Sequence, residues 1–108
     1  MFARVITLQL RPGKLDEFLR LVQDTIAPAA AAQPGFGGMT LLTGASHKVV
    51  AVGLWETEAG LLAGERAYNT ENLADMHGLL AGPPLHEAYT VSLQVDLTPE
   101  GAAHIRGI

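Results

Sequence analysis

The sequence has no cysteine among its 108 residues. This absence excludes a disulfide framework, a thiolate nucleophile and any metal site built from cysteine ligands. Because disulfide-rich small domains belong to oxidising compartments, a cysteine-free chain favours a reducing, cytoplasmic location. Histidine does not take over as a metal ligand, since His47, His77, His86 and His104 lack metal-ligand spacing. We therefore expect no bound metal.

Positive charge and long apolar runs are also scarce. Seven basic residues stand against eleven acidic ones, which gives a net charge of −4, and the basic residues are scattered along the chain. Binding to nucleic acid or to an anionic membrane surface needs a positive patch, so neither partner is expected. No apolar run approaches the roughly 20 residues that span a bilayer. The N-terminus lacks the basic and apolar regions of a secretory signal.

Motifs for cofactors and nucleophiles are missing as well. The segment GFGG at 35–38 follows a predicted helix, and Thr40 stands where a dinucleotide-binding fingerprint needs its third glycine. His86-Glu87 begins like a zinc-protease motif, but Thr90 takes the place of the second histidine. No Gly-x-Ser-x-Gly elbow occurs. These segments therefore predict neither a dinucleotide-binding site nor a zinc-protease or serine-hydrolase site.

The N-terminal third contains one clear strand and one clear helix. Residues 2–10, FARVITLQL, alternate with period two and predict a strand that the Arg-Pro-Gly segment at 11–13 ends. One face of this strand carries Phe2, Arg4, Ile6, Leu8 and Leu10. From Lys14 the apolar residues recur at helical spacing. The predicted helix fades around Pro28 and the alanine run, and Gln33-Pro34-Gly35 closes it.

The middle of the chain predicts a hairpin followed by a second helix. Met39–Thr43 and Lys48–Trp55 are strand candidates joined by a glycine-containing loop. The second helix begins with Thr57 as its N-cap, although Gly60 and Gly64 each cost about 1 kcal/mol in a helix interior. We expect it to break at 69–70, and a helical stripe resumes with its apolar residues at Leu73, Met76, Leu79 and Leu80.

The last predicted strand spans His86–Leu97, and a small polar tail follows. The element order is therefore β-α-β-β-α-β, the arrangement of a ferredoxin-like α+β domain. It predicts a four-stranded antiparallel sheet with two helices on one face. We assign residues 1–97 to this domain and residues 98–108 to the C-terminal tail.

The other face of the predicted sheet mixes polar and apolar residues that favour strands. On the first and last strands these residues are Val5, Thr7, Gln9, Thr90, Ser92 and Gln94. Such a face suits packing against the sheet of a second copy, which predicts a homodimer. A solvated face is the alternative.

Four short segments, in this order, carry a resemblance to a known family. They are RPGK at 11–14, DEF at 16–18, PGF at 34–36 and LWETE at 54–58. With the βαββαβ layout, the chain resembles the antibiotic biosynthesis monooxygenase family of dimeric α/β barrels over about residues 2–95. The resemblance implies a homodimer with sheets facing each other, and a pocket in each subunit between sheet and second helix. The best-known members oxidise phenolic or hydroquinone-type molecules with molecular oxygen and without a cofactor.

Two residues are the main catalytic candidates. Trp55, the only tryptophan, ends a predicted strand, and in related oxygenases a tryptophan at this "WE" position lines the substrate cavity. It can equally be a core residue where strand meets helix. His77 lies beside the apolar stripe that includes Met76, and an imidazole there can take a phenolic proton near neutral pH. The alternative is an exposed histidine on the shoulder of a helix.

Five further residues are candidates for substrate binding. Arg4 can steady an oxyanion, or it can pair with an acidic neighbour. Tyr68 and Asn69 can donate hydrogen bonds, although Asn69 can also be a helix C-cap. Ile6 and Met76 are candidates for apolar contacts to the ligand.

The chain departs from the family pattern at several positions. Several members carry a histidine, and haem degraders a tryptophan, nine residues beyond the "WE" tryptophan, where this chain has Gly64. Haem degraders also carry an asparagine near the position of Ile6, so haem degradation is disfavoured. Cofactor-free polyketide oxygenases pair the tryptophan with asparagine, tyrosine and arginine, where this chain has Ala51, Leu61 and Asp75. No described catalytic set is complete.

The predicted function is a small, cofactor-independent monooxygenase that oxidises an aromatic, phenolic or quinol-type molecule. The alternative is a non-catalytic dimeric barrel that binds a small apolar ligand. A pocket beside Trp55 agrees with both functions, and turnover separates them.

Overall fold

The computed structural model describes residues 1–71 and 76–107, and side chains of residues 1–66 and 76–105. Four antiparallel strands form the main sheet in the order β2-β3-β1-β4. They are β1 (Phe2–Gln9), β2 (Phe36–Thr43), β3 (Lys48–Trp55) and β4 (Leu85–Thr90). The helices are α1 (Leu15–Leu21), α2 (Ala27–Ala31) and α3 (Glu58–Glu71). The predicted ferredoxin-like α+β fold is confirmed.

A π-helical turn at Val22–Ile26 joins α1 to α2 into one helical element. In this turn the N–H of Ala27 donates to the carbonyl of Val22, five residues back. Pro28 follows directly, and a regular α-helix would press its ring against the carbonyl of Asp24. The wider turn relieves this clash, so the helix continues through Pro28 and ends at Ala31, within the alanine run and before the Gln33-Pro34-Gly35 segment that was predicted to close it.

The helices cover one face of the sheet and form the core with it. The strand residues of that face alternate with outward-facing ones, as the period-two pattern predicts. The most deeply buried members are Phe18 of α1, Leu10 just after β1, Val49 of β3 and Met76, which lies in a helical turn before β4. Met76 belongs to the predicted helical stripe; its neighbour Leu73 lies outside the described residues.

The second helix begins as predicted but ends later. Thr57 caps it, because the N–H of Gly60 donates to Thr57 Oγ1 at 3.0 Å. The helix then passes through 69–70 and ends at Glu71, so the predicted break there is wrong. Asparagine and threonine are only mildly unfavourable inside a helix, and neither is enough to end one.

The predicted strand His86–Leu97 is two strands, and this prediction is corrected. The chain leaves the main sheet after Thr90, and β5 (Leu93–Leu97) pairs with β6 (Ala103–Gly107) in a separate hairpin. The tail is therefore partly a strand. Its turn is closed by Thr98, whose side-chain oxygen accepts from the N–H of Ala102 at 3.1 Å. The division at residue 97 stays a prediction, and this hairpin joins residues from both sides of it.

Two apolar surfaces lie away from the helices. The first is the open face of the sheet, where Val5 and Val52 pair with each other and are half-buried. The pair Leu8 and Val49 lies on the other face, which the helices cover. On the hairpin, one face carries four apolar side chains that are each more than half exposed, namely Leu93, Val95, Leu97 and Ile105. Both surfaces are available for packing against another protein surface.

Candidate active site

A cavity lies between the helices and the covered face of the sheet. Twenty described residues line it, and sixteen of them are apolar or glycine. About 100 Å³ of it is open to the centres of water molecules. A single water needs only about 10–15 Å³ on this measure, so the cavity has room for a small organic molecule.

The floor of the cavity is built from small residues in the middle of the sheet. Ala51 and Gly53 of β3 lie in cross-strand rows with larger neighbours. Ala51 pairs with Ile6 and Leu41, and Gly53 pairs with Arg4 and Met39. Because side chains in such rows point to the same face, the small members leave a hollow between the larger ones.

Trp55 forms one wall of the cavity and is also a core residue. Its side chain is 6% exposed. Its ring meets Phe36 edge to face, with centroids 5.2 Å apart and an interplanar angle of 67°. The two rings pair across β2 and β3, where Phe36 lies opposite Trp55. Both alternatives for Trp55 therefore hold, because this aromatic wall faces the cavity and belongs to the core.

The glycines of α3 allow the helix to approach the tryptophan ring. A Cβ atom at position 64 would lie 2.4 Å from Cζ2 and 2.5 Å from Cη2 of Trp55. At Gly60 it would lie 3.6 Å from Cε3 of the same ring and 3.2 Å from the Pro34 carbonyl. Any side chain at position 64 would thus begin inside the space of the indole. The position of Trp55 accounts for the glycine that replaces the histidine of several family members.

One end of the cavity is polar. Arg4 of β1 donates from Nη2 to Oε2 of Glu65 on α3 at 2.6 Å, and the two side chains are 12% and 27% exposed. His86 of β4 lies opposite Ile6 in the sheet, and its Nδ1 is 3.9 Å from Oε1 of Glu65. The three side chains line the cavity together. Arg4 is therefore paired with an acidic neighbour, one of the two alternatives for it.

The surroundings of His86 lower its pKa. The largest cause is burial, which disfavours the charged imidazolium; the Glu65 carboxylate raises the pKa and the Arg4 guanidinium lowers it. Because the net shift is downward from 6.5, the imidazole is mainly neutral at neutral pH. A neutral imidazole in an apolar cavity is able to accept a proton.

The family model for antibiotic biosynthesis monooxygenases matches residues 1–66, more than half of the 108-residue chain. The chain belongs to this family. The matched part includes Arg4, Trp55 and Glu65, and it ends before the strand that carries His86. No curated protein matches the sequence.

Solved structures of other bacterial proteins share the fold. A candidate antibiotic biosynthesis monooxygenase of Nitrosomonas europaea superposes with a TM-score of 0.73 at 15% identity, over 84% of this chain and 98% of the other. The monooxygenase ActVA-Orf6 of Streptomyces coelicolor, solved with nanaomycin D, gives 0.69 at 20% identity, over 91% of each chain. SnoaB, a cofactor-independent oxygenase of Streptomyces nogalater, was solved as a mutant. It superposes with a TM-score of 0.70 at 20% identity, over 83% of this chain and 91% of the other.

The structure brings together four of the seven predicted site residues of this family member. Trp55, Arg4, Ile6 and Met76 all line the cavity. The side chains of the other two predicted binding residues, Tyr68 and Asn69, lie outside the described residues.

His77, the predicted base, lies elsewhere. Its side chain is exposed and lines a second cavity with Arg11 and the Gly82-Pro83-Pro84 segment. It follows Met76 directly, and adjacent helical positions point in different directions, so a buried Met76 turns His77 outward. The described residues that line the cavity between the helices and the sheet include a different histidine, His86.

Glu65 and His86 are the cavity residues that the sequence analysis missed. Glu65 lies four residues after Leu61 on α3, so both fall on the face that meets the sheet. His86 was considered only as part of a zinc motif. Alternation from Ala88, which pairs with Arg4, would have placed His86 on the same face as Arg4. The sequence alone does not show that β4 pairs with β1, and this pairing is what brings His86 next to Arg4.

Within the residues that the structure describes, no group of three or more histidine or acidic side chains could hold a metal ion. Among the same residues, no helix is long and apolar enough to cross a membrane.

Proposed function

We propose that this family member oxidises an aromatic, phenolic or quinol-type small molecule with molecular oxygen and without a cofactor. The observation that carries the proposal is the apolar cavity walled by Trp55 and Phe36, which ends at a polar group of side chains. Two proteins of similar fold add support. One is a monooxygenase solved with nanaomycin D, and the other is a cofactor-independent oxygenase.

The chemistry requires an electron-rich ligand anion in a dry site. Ground-state oxygen is a triplet and reacts slowly with closed-shell molecules, but a phenolate or enolate can give it one electron first. For an activated CH2 group, the net reaction with O2 gives a carbonyl and one water, which balances all atoms and electrons. The protein must therefore exclude water and stabilise an anion.

The cavity residues divide between these two tasks. Trp55 provides an aromatic wall against which a planar ligand can stack. Ile6 and Met76 provide apolar contacts that exclude water, and Arg4 provides positive charge near the developing anion. Tyr68 and Asn69 remain candidates for hydrogen bonds to the ligand.

The proposal is tested by oxygen uptake of the purified, metal-free protein with phenols, anthrones and hydroquinones. Ala51→Leu is expected to reduce uptake at least about 10-fold, because three extra carbon atoms fill the floor of the cavity. Ala59→Leu is the matched control, since Ala59 is exposed on α3 and should leave uptake unchanged. Equal uptake by wild type and Ala51→Leu would show that turnover does not occur in this cavity.

A second function, non-catalytic binding of an apolar ligand, is favoured by one observation. Sixteen of the twenty described residues that line the cavity are apolar or glycine, among them Ala51 and Gly64, so the cavity offers few polar groups for catalysis. This function predicts that aromatic compounds bind and quench Trp55 fluorescence while no oxygen is consumed. Ala51→Leu should then abolish the quenching.

We also propose that the protein is a homodimer. The open sheet face with Val5 and Val52, and the exposed apolar face of the β5–β6 hairpin, support it. Light scattering should give a mass near twice 11.4 kDa. Val95→Glu places a charge in the hairpin face and should shift the mass toward the monomer, because burying an unpaired charge is costly.

The control for the dimer experiment is Leu62→Glu. Leu62 is comparably exposed but lies on α3. If wild type is monomeric at every concentration, or if Leu62→Glu dissociates it as well as Val95→Glu does, the proposed surface is wrong.

A further inference from the structure

The polar end of the cavity contains charged and titratable groups from three separate elements. Arg4 comes from β1, Glu65 from α3 and His86 from β4, and all three line the cavity. Two of these residues, Glu65 and His86, have no part in the function proposed above. We infer that His86 removes a proton from the bound ligand, and that Glu65 positions the imidazole and balances the charge that it gains. This inference rests on the proposed function and names its base and its substrate class.

The two oxygens of the Glu65 carboxylate serve different partners. Oε2 accepts a hydrogen bond from Arg4 Nη2 at 2.6 Å, while Oε1 lies 3.9 Å from His86 Nδ1. Arg4 therefore fixes the carboxylate, and the carboxylate lies beside one particular ring nitrogen. We place the ligand hydroxyl at Nε2, the ring nitrogen away from Glu65. Glu65 is a positioning residue, and His86 is the catalytic base.

Proton transfer at this site keeps the cavity electrically neutral. The ligand O–H bond breaks, its electron pair stays on oxygen, and a new N–H bond forms at Nε2 of His86. Before the step, the positive Arg4 and the negative Glu65 cancel and the imidazole is neutral. After it, the imidazolium balances the ligand anion. The Nε of Arg4 is buried and has no hydrogen-bond partner within the described residues, so it can donate to the new oxyanion.

The charge arrangement also defines the class of substrate. Since the guanidinium of Arg4 is already paired with Glu65, the site has no net positive charge with which to hold a ligand that enters as a carboxylate. Most of the cavity is apolar, which favours a neutral planar molecule. The substrate is therefore a neutral phenol or hydroquinone with an ionisable hydroxyl group that reaches His86.

The inference predicts a particular pH dependence. Among the residues that the structure describes, the charged groups that act on the pKa of His86 include Glu65 from α3 and Arg4 from β1. Burial lowers the pKa of His86 below 6.5, so the imidazole is neutral and able to accept a proton at neutral pH. Activity should fall only at lower pH, as the pH passes through the lowered pKa and the imidazole becomes protonated. Removing the negative charge with Glu65→Gln removes the interaction that raises the pKa. The acid limb of the pH profile should then move to lower pH.

The direct test uses 4-nitrophenol, whose absorption changes when its hydroxyl group ionises. Bound to wild type below the pKa of the free phenol, it should show the phenolate band. His86→Gln and His86→Asn should bind it as the neutral phenol and slow any oxygen uptake by about 100-fold or more. His104→Gln, on the exposed hairpin, is the matched control. Thermal unfolding confirms that each variant is folded.

The outcomes separate this inference from the proposed function. Uptake that survives in folded His86→Gln would overturn the inference and leave the oxygenase function standing. Loss of the phenolate band in that variant, in a protein that consumes no oxygen, would support the inference and count against the oxygenase. If His77→Gln removes the phenolate band, the base is His77 and the inference about His86 is wrong. Neutral binding, or no binding, of 4-nitrophenol by wild type would overturn the inference.

Discussion

Replacing Trp55 by alanine is expected to lower the free energy of unfolding by about 3–5 kcal/mol, because a large buried ring is lost and a void remains. The ring is 6% exposed, meets Phe36 edge to face and lies against Gly60 and Gly64. Domains of this size are stable by only about 5–15 kcal/mol in total. Chemical denaturation followed by far-UV circular dichroism measures the change, since the variant has no tryptophan to report fluorescence.

The control for this substitution is Trp55→Phe, which keeps an aromatic ring against the helix. It should cost clearly less than Trp55→Ala and should retain part of any ligand binding. If Trp55→Ala changes the midpoint of unfolding no more than a surface substitution such as Leu62→Ala, Trp55 is not the wall that joins sheet and helix.

Replacing Gly64 by alanine is the second substitution with a large expected effect. Alanine is usually the better helix residue by about 1 kcal/mol. Here its Cβ would lie 2.4 Å from the Trp55 ring, so the ring or the helix must move. Overpacking of this kind costs about 1–3 kcal/mol, which outweighs the gain in helix propensity. We expect a net loss of stability and a change in Trp55 fluorescence.

A double-mutant cycle isolates the contact between the two residues. In a Trp55→Leu background the indole is absent, so Gly64→Ala should become neutral or stabilising, as in an ordinary helix. The coupling between positions 55 and 64 is the difference between the two effects. Equal effects of Gly64→Ala in both backgrounds would show that the indole is not the reason for the glycine.

Much of the fold was predictable from the sequence because its signals are local. The alternation at 2–10 and the helical spacing from Lys14 depend only on neighbouring residues, and both elements are present. Thr57 was correctly predicted as an N-cap for the same reason. The errors occurred where distant contacts override local pattern. The strand His86–Leu97 alternates without interruption, yet its second half pairs with the tail and not with the main sheet.

The candidate site was predicted only in part. Trp55, Arg4, Ile6 and Met76 line one cavity, and each lies on a strand face or helix stripe that points toward the core. His77 lies outside this cavity, because the pattern around Met76 does not show which way the neighbouring side chain points until the helix is placed. The family resemblance predicted a fold and a pocket beside the tryptophan, and the family is confirmed.

The sequence by itself determined the order of the elements, the side of each strand that is buried and the absence of thiol chemistry. Only the tertiary structure decided which side chains from distant elements meet. Arg4 and Glu65 are 61 residues apart in the chain. His86 lies on β4, which pairs with β1 on the side away from β3. Periodicity specifies a face but not a partner, because partners depend on strand register and on how closely a helix can approach. Here that approach depends on the missing Cβ atom of Gly64.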